Sequence, residues 1–164
     1  MEKTWYAVYV KSRTEKKVSA EFQRLGIDHY LPLQKVLKQW SDRKKWVEEP
    51  LFRSYIFVQI NQSDYYNVIN VTGAVKYITF EGKAVSVPAQ QIEAIRYYLN
   101  EKDPEKVVNL HWEKGQKVEV IAGSLTGLQG ELIEVKGKHK VSIQIESVGT
   151  SILLQIPKSK LRAI

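Results

Sequence analysis

Trp5-Tyr6-Ala7-Val8-Tyr9-Val10, running on through Lys11-Ser12-Arg13-Thr14-Glu15-Lys16-Lys17-Val18 to Phe22, Leu25 and Gly26, is the stretch that decides the fold class. Trp5 to Val10 is dense in aromatic and β-branched side chains, which suit a pleated surface, and reads as a strand. Ser12 stands three residues before Glu15, the spacing of a capping box. Val18, Phe22 and Leu25 follow at helical spacing, and Gly26 supplies a stop. The chain therefore opens with a strand and a helix from Arg13 to Leu25.

That strand lacks a polar face. Trp5, Ala7 and Tyr9 point one way, and Tyr6, Val8 and Val10 the other. A second strong strand, Ser54 to Ile60, repeats the pattern: Tyr55 and Phe57 oppose Ser54, Ile56, Val58 and Ile60. A sheet covered on one side alternates apolar with polar. Here either helices cover both faces or an aromatic patch is left for a partner. Pattern alone favours the covered sheet.

Working outward, His29 to Gln39 reads as extended around Pro32, and Trp40 to Trp46 as a charged hairpin tip. Asp64 to Asn70 reads as a short helix capped by Ser63, Val75 to Phe80 as a strand turned at Gly82. Pro88 suits the first turn of a helix whose apolar stripe is Ile92, Ile95 and Leu99. Strands mixed with helices on a short chain imply an α/β sandwich.

Asn100 to His111 changes character, with Lys102, Asp103, Pro104, Glu105 and Lys106 and little to bury, and reads as a linker. Beyond it, five of the nine glycines fall between Gly123 and Gly149, and Gly115 precedes them. Short alternating runs lie between: Val118 to Ile121, Glu131 to Val135, Val141 to Ile145, Ile152 to Ile156. Short strands with glycine turns imply a small β-barrel. The expected division is 1–100, a linker at 101–111, and 112–164.

The 164 residues suffice for two small domains. A composition 43% hydrophobic and 26% charged is that of a globular chain. The net charge of +7 raises the odds of a polyanionic partner without choosing between nucleic acid and an acidic protein. The absence of cysteine excludes disulfide and thiolate chemistry. No apolar run reaches membrane-spanning length and no signal peptide is evident, so a cytoplasmic protein is expected.

One basic cluster stands out. On a helical wheel Arg13, Lys16, Lys17 and Arg24 fall within roughly a 100° arc, opposite Val18, Phe22 and Leu25, with Lys11 just before. Such a face can neutralise phosphates, although a solvated helix face is the commoner origin of a charge run. Catalytic motifs are missing: no phosphate loop, no G-x-S-x-G, no H-E-x-x-H. His29, His111 and His139 are scattered and read as surface or turn residues, so no metal site and no cofactor is expected.

Together these features resemble the NusG family of transcription elongation factors over nearly the whole chain. Trp5-Tyr6-Ala7-Val8 with Lys11-Ser12 and Glu15-Lys16-Lys17, then Pro50-Leu51-Phe52 and Tyr55-Ile56-Phe57-Val58, resemble the NusG N-terminal domain. Gly115 to Val135, with Gly123, Gly127 and Gly130, resembles a KOW domain. The resemblance implies an antiparallel sheet flanked by helices, followed by an SH3-like KOW barrel, with no enzymatic activity. It implies that the N-terminal domain binds the clamp helices of the largest RNA polymerase subunit through an apolar depression. The matching positions are Ala7, Tyr9, Phe52, Tyr55, Phe57, Ile92 and Ile95.

The family's Phe-Pro-Gly-Tyr element stands here as Phe52-Arg53-Ser54-Tyr55. With Ser41 to Trp46, this looks more like the specialised RfaH-type paralogues and the antiterminators of capsular polysaccharide operons. In such paralogues Lys11, Arg13, Lys17 and Thr72 match positions that touch single-stranded non-template DNA; Lys16 and Arg24 join them from the basic face. The KOW barrel implies a small-subunit ribosomal protein or a termination factor as a further partner, near Ile145 and Val148. A monomer is expected. The competing reading is a KOW-containing RNA-binding protein of the translation apparatus, which would have no reason to carry the aromatic set of residues 1–100.

Overall fold

The computed structural model describes residues 2–100, 117–123, 125–135, 138–145, 150–156 and 160–164. The chain divides into two compact units, Met1–Val87 and Pro88–Ile164. The expected linker, 101–111, lies outside the described residues, as does His111.

The first unit is built on β1 (Thr4–Val10) and β5 (Tyr55–Ile60), paired antiparallel from Thr4↔Ile60 to Tyr9↔Tyr55. β2 (His29–Tyr30) extends the sheet beyond β5, and β6 (Ala74–Tyr77) lies beyond β1, giving the order β2-β5-β1-β6, with β9 (Ser86–Val87) also paired to β1. Directly opposed residues share a face. Val8, Val10, Ile56, Val58 and Ile60 therefore form one apolar layer, closed by Val18 and Phe22 of α1 (Glu15–Arg24) and Val68 of α2 (Tyr65–Ile69). The residues of the other face, Ala7 and Phe57, are buried as well.

Several local expectations change. Helix α1 starts at Glu15, not Arg13, and Ser12 forms no capping box. Arg13 adopts φ +65°, which breaks helical register, and Thr14 Oγ1 donates to the Lys11 carbonyl at 2.5 Å. Leu25 is exposed, because the helix ends at Arg24 and the chain turns at Gly26. The turn before α2 is capped by Asn61, whose Oδ1 accepts from the Ser63 amide at 3.1 Å; the expected cap, Ser63, is the donor.

His29 is no loose surface residue. Its Nε2 is 2.7 Å from Ser19 Oγ and its Nδ1 2.9 Å from the Ile27 carbonyl, with the ring edge-on to Phe22. Nδ1 therefore carries the proton and Nε2 accepts from the serine.

The expected tip between Trp40 and Trp46 belongs to a longer hairpin, β3 (Leu33–Gln39) with β4 (Lys44–Pro50), in register from Leu33↔Pro50 to Gln39↔Lys44. A smaller hairpin joins β7 (Thr79–Phe80) to β8 (Lys83–Ala84). It turns through Glu81 and Gly82, both at positive φ; the run Val75 to Phe80 is two strands and not one, because the chain leaves β1 after Tyr77 and Thr79–Phe80 pair with β8 instead.

In the second unit, α3 (Ala89–Asn100) follows Pro88, whose carbonyl accepts from Gln91 N at 2.9 Å. Ile92, Ala94, Ile95 and Tyr98 are its buried residues; Tyr98 takes the place expected for Leu99. Gln90 Nε2 donates to the Thr126 carbonyl at 3.1 Å. The remaining strands, β10 (Lys117–Val120), β11 (Gln129–Val135), β12 (Lys138–Ile145), β13 (Thr150–Gln155) and β14 (Leu161–Ala163), form an antiparallel sheet in the order β13-β12-β11-β10-β14. The four alternating runs of the sequence match β10 to β13 within a few residues; β14 was not expected. Gly123 and Gly127, at φ +88° and +92°, turn the chain between β10 and β11.

Candidate functional site

The aromatic set gathers around the β1–β5 pair. Tyr9 lies opposite Tyr55, with ring centroids 5.8 Å apart and nearly edge-to-face. Ala7 lies opposite Phe57, and Phe52 meets the Phe57 ring edge-on at 5.9 Å. Each edge-to-face pair adds about 1 kcal/mol beyond simple burial. Exposure divides the set. Ala7, Phe52 and Phe57 are buried, whereas Tyr9 and Tyr55 are half-exposed. Ile92 and Ile95 are buried on α3, in the second unit. Within the first unit, Ala7, Phe52 and Phe57 of the expected apolar depression are covered, and the two tyrosines are its accessible part.

What positions Tyr55 is a strained corner. The residue before it, Ser54, has φ +67°, a left-handed conformation that favours glycine. Its carbonyl accepts from Val10 N at 2.8 Å. Its own amide donates to Glu15 Oε1 at 3.0 Å. Glu15 is the buried charged residue among those described, at 6% exposure, and lies in the first turn of α1, where the helix dipole favours a carboxylate. Sequence reading took Glu15 for a capping-box partner and missed this role. The signal that points to it is the serine standing where the family pattern has glycine.

The basic set is exposed throughout: Lys11, Arg13, Lys16, Lys17, Arg24 and Thr72. Lys11 N donates to the Gly73 carbonyl at 2.8 Å, which draws the β1–α1 loop alongside Thr72. Gly73 makes the approach possible. At φ +99° its hydrogen faces Val18, and an added Cβ would lie 2.7 Å from Val18 Cγ2. Lys17, Arg24 and Thr72 line one open cleft of about 860 Å³ between α1 and α2, together with Asn67 and Asn70, which sequence reading had not singled out.

The cleft is not uniformly positive. Glu21 and Asp64 also border it, and Arg24 Nε donates to Glu21 Oε1 at 2.9 Å. That hydrogen bond holds the Glu21 carboxyl below its usual range and raises the Arg24 guanidinium. Lys16 points elsewhere: its Nζ donates to the Glu48 carbonyl of β4 at 2.7 Å. The structure thus brings Lys11, Arg13 and Thr72 to one end of α1, Lys17 and Arg24 along the cleft, and Lys16 toward the hairpin.

Of the residues expected on the second unit, Val148 lies outside the described residues. Ile145 is placed by its backbone alone, at the end of β12 opposite Thr150. Among the described residues no group of three or more acidic or histidine side chains is arranged to hold a metal ion, and no described helix is long and apolar enough to cross a membrane.

The model of the family described as transcription termination factor nusG matches residues 3–96, which include β1, β5 and the basic cleft. The chain belongs to the NusG family. NusG proteins are transcription factors named for termination and antitermination, not enzymes.

The transcription termination/antitermination protein NusG of Bacillus subtilis is 25% identical over 162 residues, covering 91% of this chain and 92% of that protein. Its counterpart in Lactococcus lactis is 21% identical over 174 residues, covering 98% and 92%. A solved structure described as domain interaction in Thermotoga maritima NusG aligns with a TM-score of 0.54 at 24% identity, over 100% of this chain and 98% of that one. The shared fold therefore runs through both units.

Proposed function

We propose that this chain is a transcription elongation and antitermination factor that docks on the clamp helices of RNA polymerase and contacts single-stranded non-template DNA. The Tyr9–Tyr55 pair is the accessible centre of the docking face, backed by Ala7, Phe52 and Phe57; Ile92 and Ile95 of α3 are the remaining positions assigned to polymerase binding. Lys11, Arg13, Lys16, Lys17, Arg24 and Thr72 supply the DNA face. The observation that carries this reading is the Lys11–Gly73 hydrogen bond at 2.8 Å, because it brings Lys11 and Thr72, both assigned to DNA contact, together at the end of the strand that bears Tyr9.

Docking suppresses pausing only to the extent that it favours the processive state of the polymerase over the paused one. The loss of proline and glycine from the Phe52-Arg53-Ser54-Tyr55 element supports a specialised, operon-targeted member of RfaH type. Residues 112–164 act as a KOW barrel, joined by a linker at 101–111, and Ile145 and Val148 mark its contact with a ribosomal protein or termination factor.

The test is transcription in vitro with purified polymerase. The protein is expected to shorten pauses, and Tyr9→Ala with Tyr55→Ala to abolish both this effect and co-purification with polymerase. Undiminished co-purification of the double variant, or lengthened pauses with the wild type, overturns the proposal.

A further inference from the structure

The β3–β4 hairpin is unused by the function above, yet its surface is unlike an inert one. Its sheet holds two strands only, and such ribbons are marginal in water. Even so it exposes Leu37, Trp40 and Trp46, the last at 64%. In the observed register Leu37 faces Trp46, Lys35 faces Glu48 and Gln39 faces Lys44. Alternation then puts Lys35, Leu37, Gln39, Lys44, Trp46 and Glu48 on one side of the ribbon, two lysines against one carboxylate. Trp46, Lys35 and Glu48 border a shallow concavity of about 510 Å³. At the tip, the Arg43 guanidinium lies over the Trp40 ring at 5.6 Å.

Two considerations identify what covers this side. The first is composition: lysine is depleted at the centre of protein–protein interfaces, whereas Lys44 precedes Trp46 on its face of the strand and Lys35 lies diagonally across, with Glu48 the one carboxylate beside them. An exposed ring among cations is the make-up of single-strand sites, where bases stack and phosphates pair. The second is continuity. Lys16 of α1 donates to the Glu48 carbonyl at 2.7 Å, so α1 reaches the hairpin through one of its lysines, and Trp46 lies two residues, about 7 Å, further along the strand.

We infer that the hairpin is a second contact for the single DNA strand held by the α1 face, with Trp46 as a stacking platform and Lys35 and Lys44 as phosphate partners. The inference rests on the DNA reading proposed above. It makes affinity depend on strand length, since a short oligonucleotide reaches one contact and a longer one both.

The experiment measures binding of the full chain to fluorescently labelled oligothymidylates of increasing length by anisotropy. Variants are Trp46→Ala, Trp46→Phe, Lys35→Ala with Lys44→Ala, and Lys11→Ala with Arg13→Gly. Trp46→Ala is expected to weaken binding of long strands about fivefold or more, to leave the shortest unchanged, and to be partly rescued by Trp46→Phe. If Trp46→Ala changes no length while Lys11→Ala with Arg13→Gly weakens all, the hairpin inference falls and the α1 reading stands. If only the hairpin variants weaken binding, the α1 reading falls and the hairpin remains a strand contact. Tighter binding of oligouridylates than of oligothymidylates overturns DNA as the occupant. Loss of polymerase binding in Trp46→Ala with unchanged DNA binding overturns a nucleic-acid role in favour of a protein contact.

Discussion

Glu15 Oε1 accepts a hydrogen bond from the Ser54 amide at 3.0 Å, tying the first turn of α1 to the strained corner that precedes β5. The carboxylate is buried and the Ser54 amide half-buried, so removing the carboxylate leaves a half-buried donor without its partner. Glu15→Ala is expected to cost about 1–3 kcal/mol in urea unfolding. It should also weaken polymerase binding, because Tyr55 follows that corner directly. Glu15→Gln keeps an acceptor and should lose less. Equal stability of all three proteins would remove the clamp from the account.

Ser54 and Gly73 make a contrasting pair. Ser54→Gly relieves a left-handed conformation and is expected to stabilise by about 0.5–1 kcal/mol, part of the relief being offset by the freer unfolded chain. Gly73→Ala adds a Cβ 2.7 Å from Val18 Cγ2 at φ +99°, and is expected to destabilise by about 2–4 kcal/mol. Shifts of the two denaturation midpoints in opposite directions are the check; a shift of the same sign for both contradicts the backbone argument.

Tyr77 is buried, stacks on Tyr65 at 4.2 Å and donates its phenol to the Tyr65 carbonyl at 2.7 Å. Burial raises its ionisation above the ordinary phenol value of 10.0. The folded state thus favours the neutral phenol. Its contribution is fully present below the unfolded pKa, near 10, and is lost as pH rises toward the folded one. Tyr77→Phe is expected to cost about 1 kcal/mol at neutral pH and to flatten the decline above pH about 10. A wild-type decline that persists unchanged in the variant would assign it to other groups.

Glu21 partly neutralises the cleft by engaging Arg24. Glu21→Gln adds one net positive charge there, and is expected to tighten single-strand DNA binding and steepen its salt dependence by about one unit of slope. The hydrogen bond from Arg24 lowers the Glu21 pKa, so in the wild type the pair persists somewhat below the usual carboxylate range and is lost as pH falls through that lowered value. An unaltered salt slope in Glu21→Gln would take Arg24 out of the interface.

Lys11 and Arg13 flank the opposite end of α1. Lys11→Ala with Arg13→Gly removes two charges while the glycine suits φ +65°, so stability should hold. The salt slope of DNA binding is expected to fall by about two. Full retention of the slope would show that the loop makes no phosphate contact.

The paired strands around Trp5–Val10 and Tyr55–Ile60, the helix carrying Val18 and Phe22, and the glycine-punctuated strands after residue 117 were all legible in the sequence. Periodicity and turn chemistry act over a few residues, and those residues are consecutive. The basic residues are countable in the sequence, but a helical wheel puts Arg13, Lys16, Lys17 and Arg24 on one face, whereas Arg13 precedes the helix and Lys16 turns to the hairpin. What remained open was whether the second apolar face of the sheet is covered, since alternation reports only that a face is apolar. Burial of Ala7, Phe52 and Phe57, with Tyr9 and Tyr55 left at the surface, was decided by packing between distant segments. So were the Glu15–Ser54 clamp, the approach of Lys11 to Gly73, and the hydrogen bond from Lys16 to the hairpin. Each joins residues tens of positions apart, through a backbone amide, a missing Cβ or a carbonyl. Every residue has such backbone groups, so no pattern of side chains along the chain announces which of them will meet.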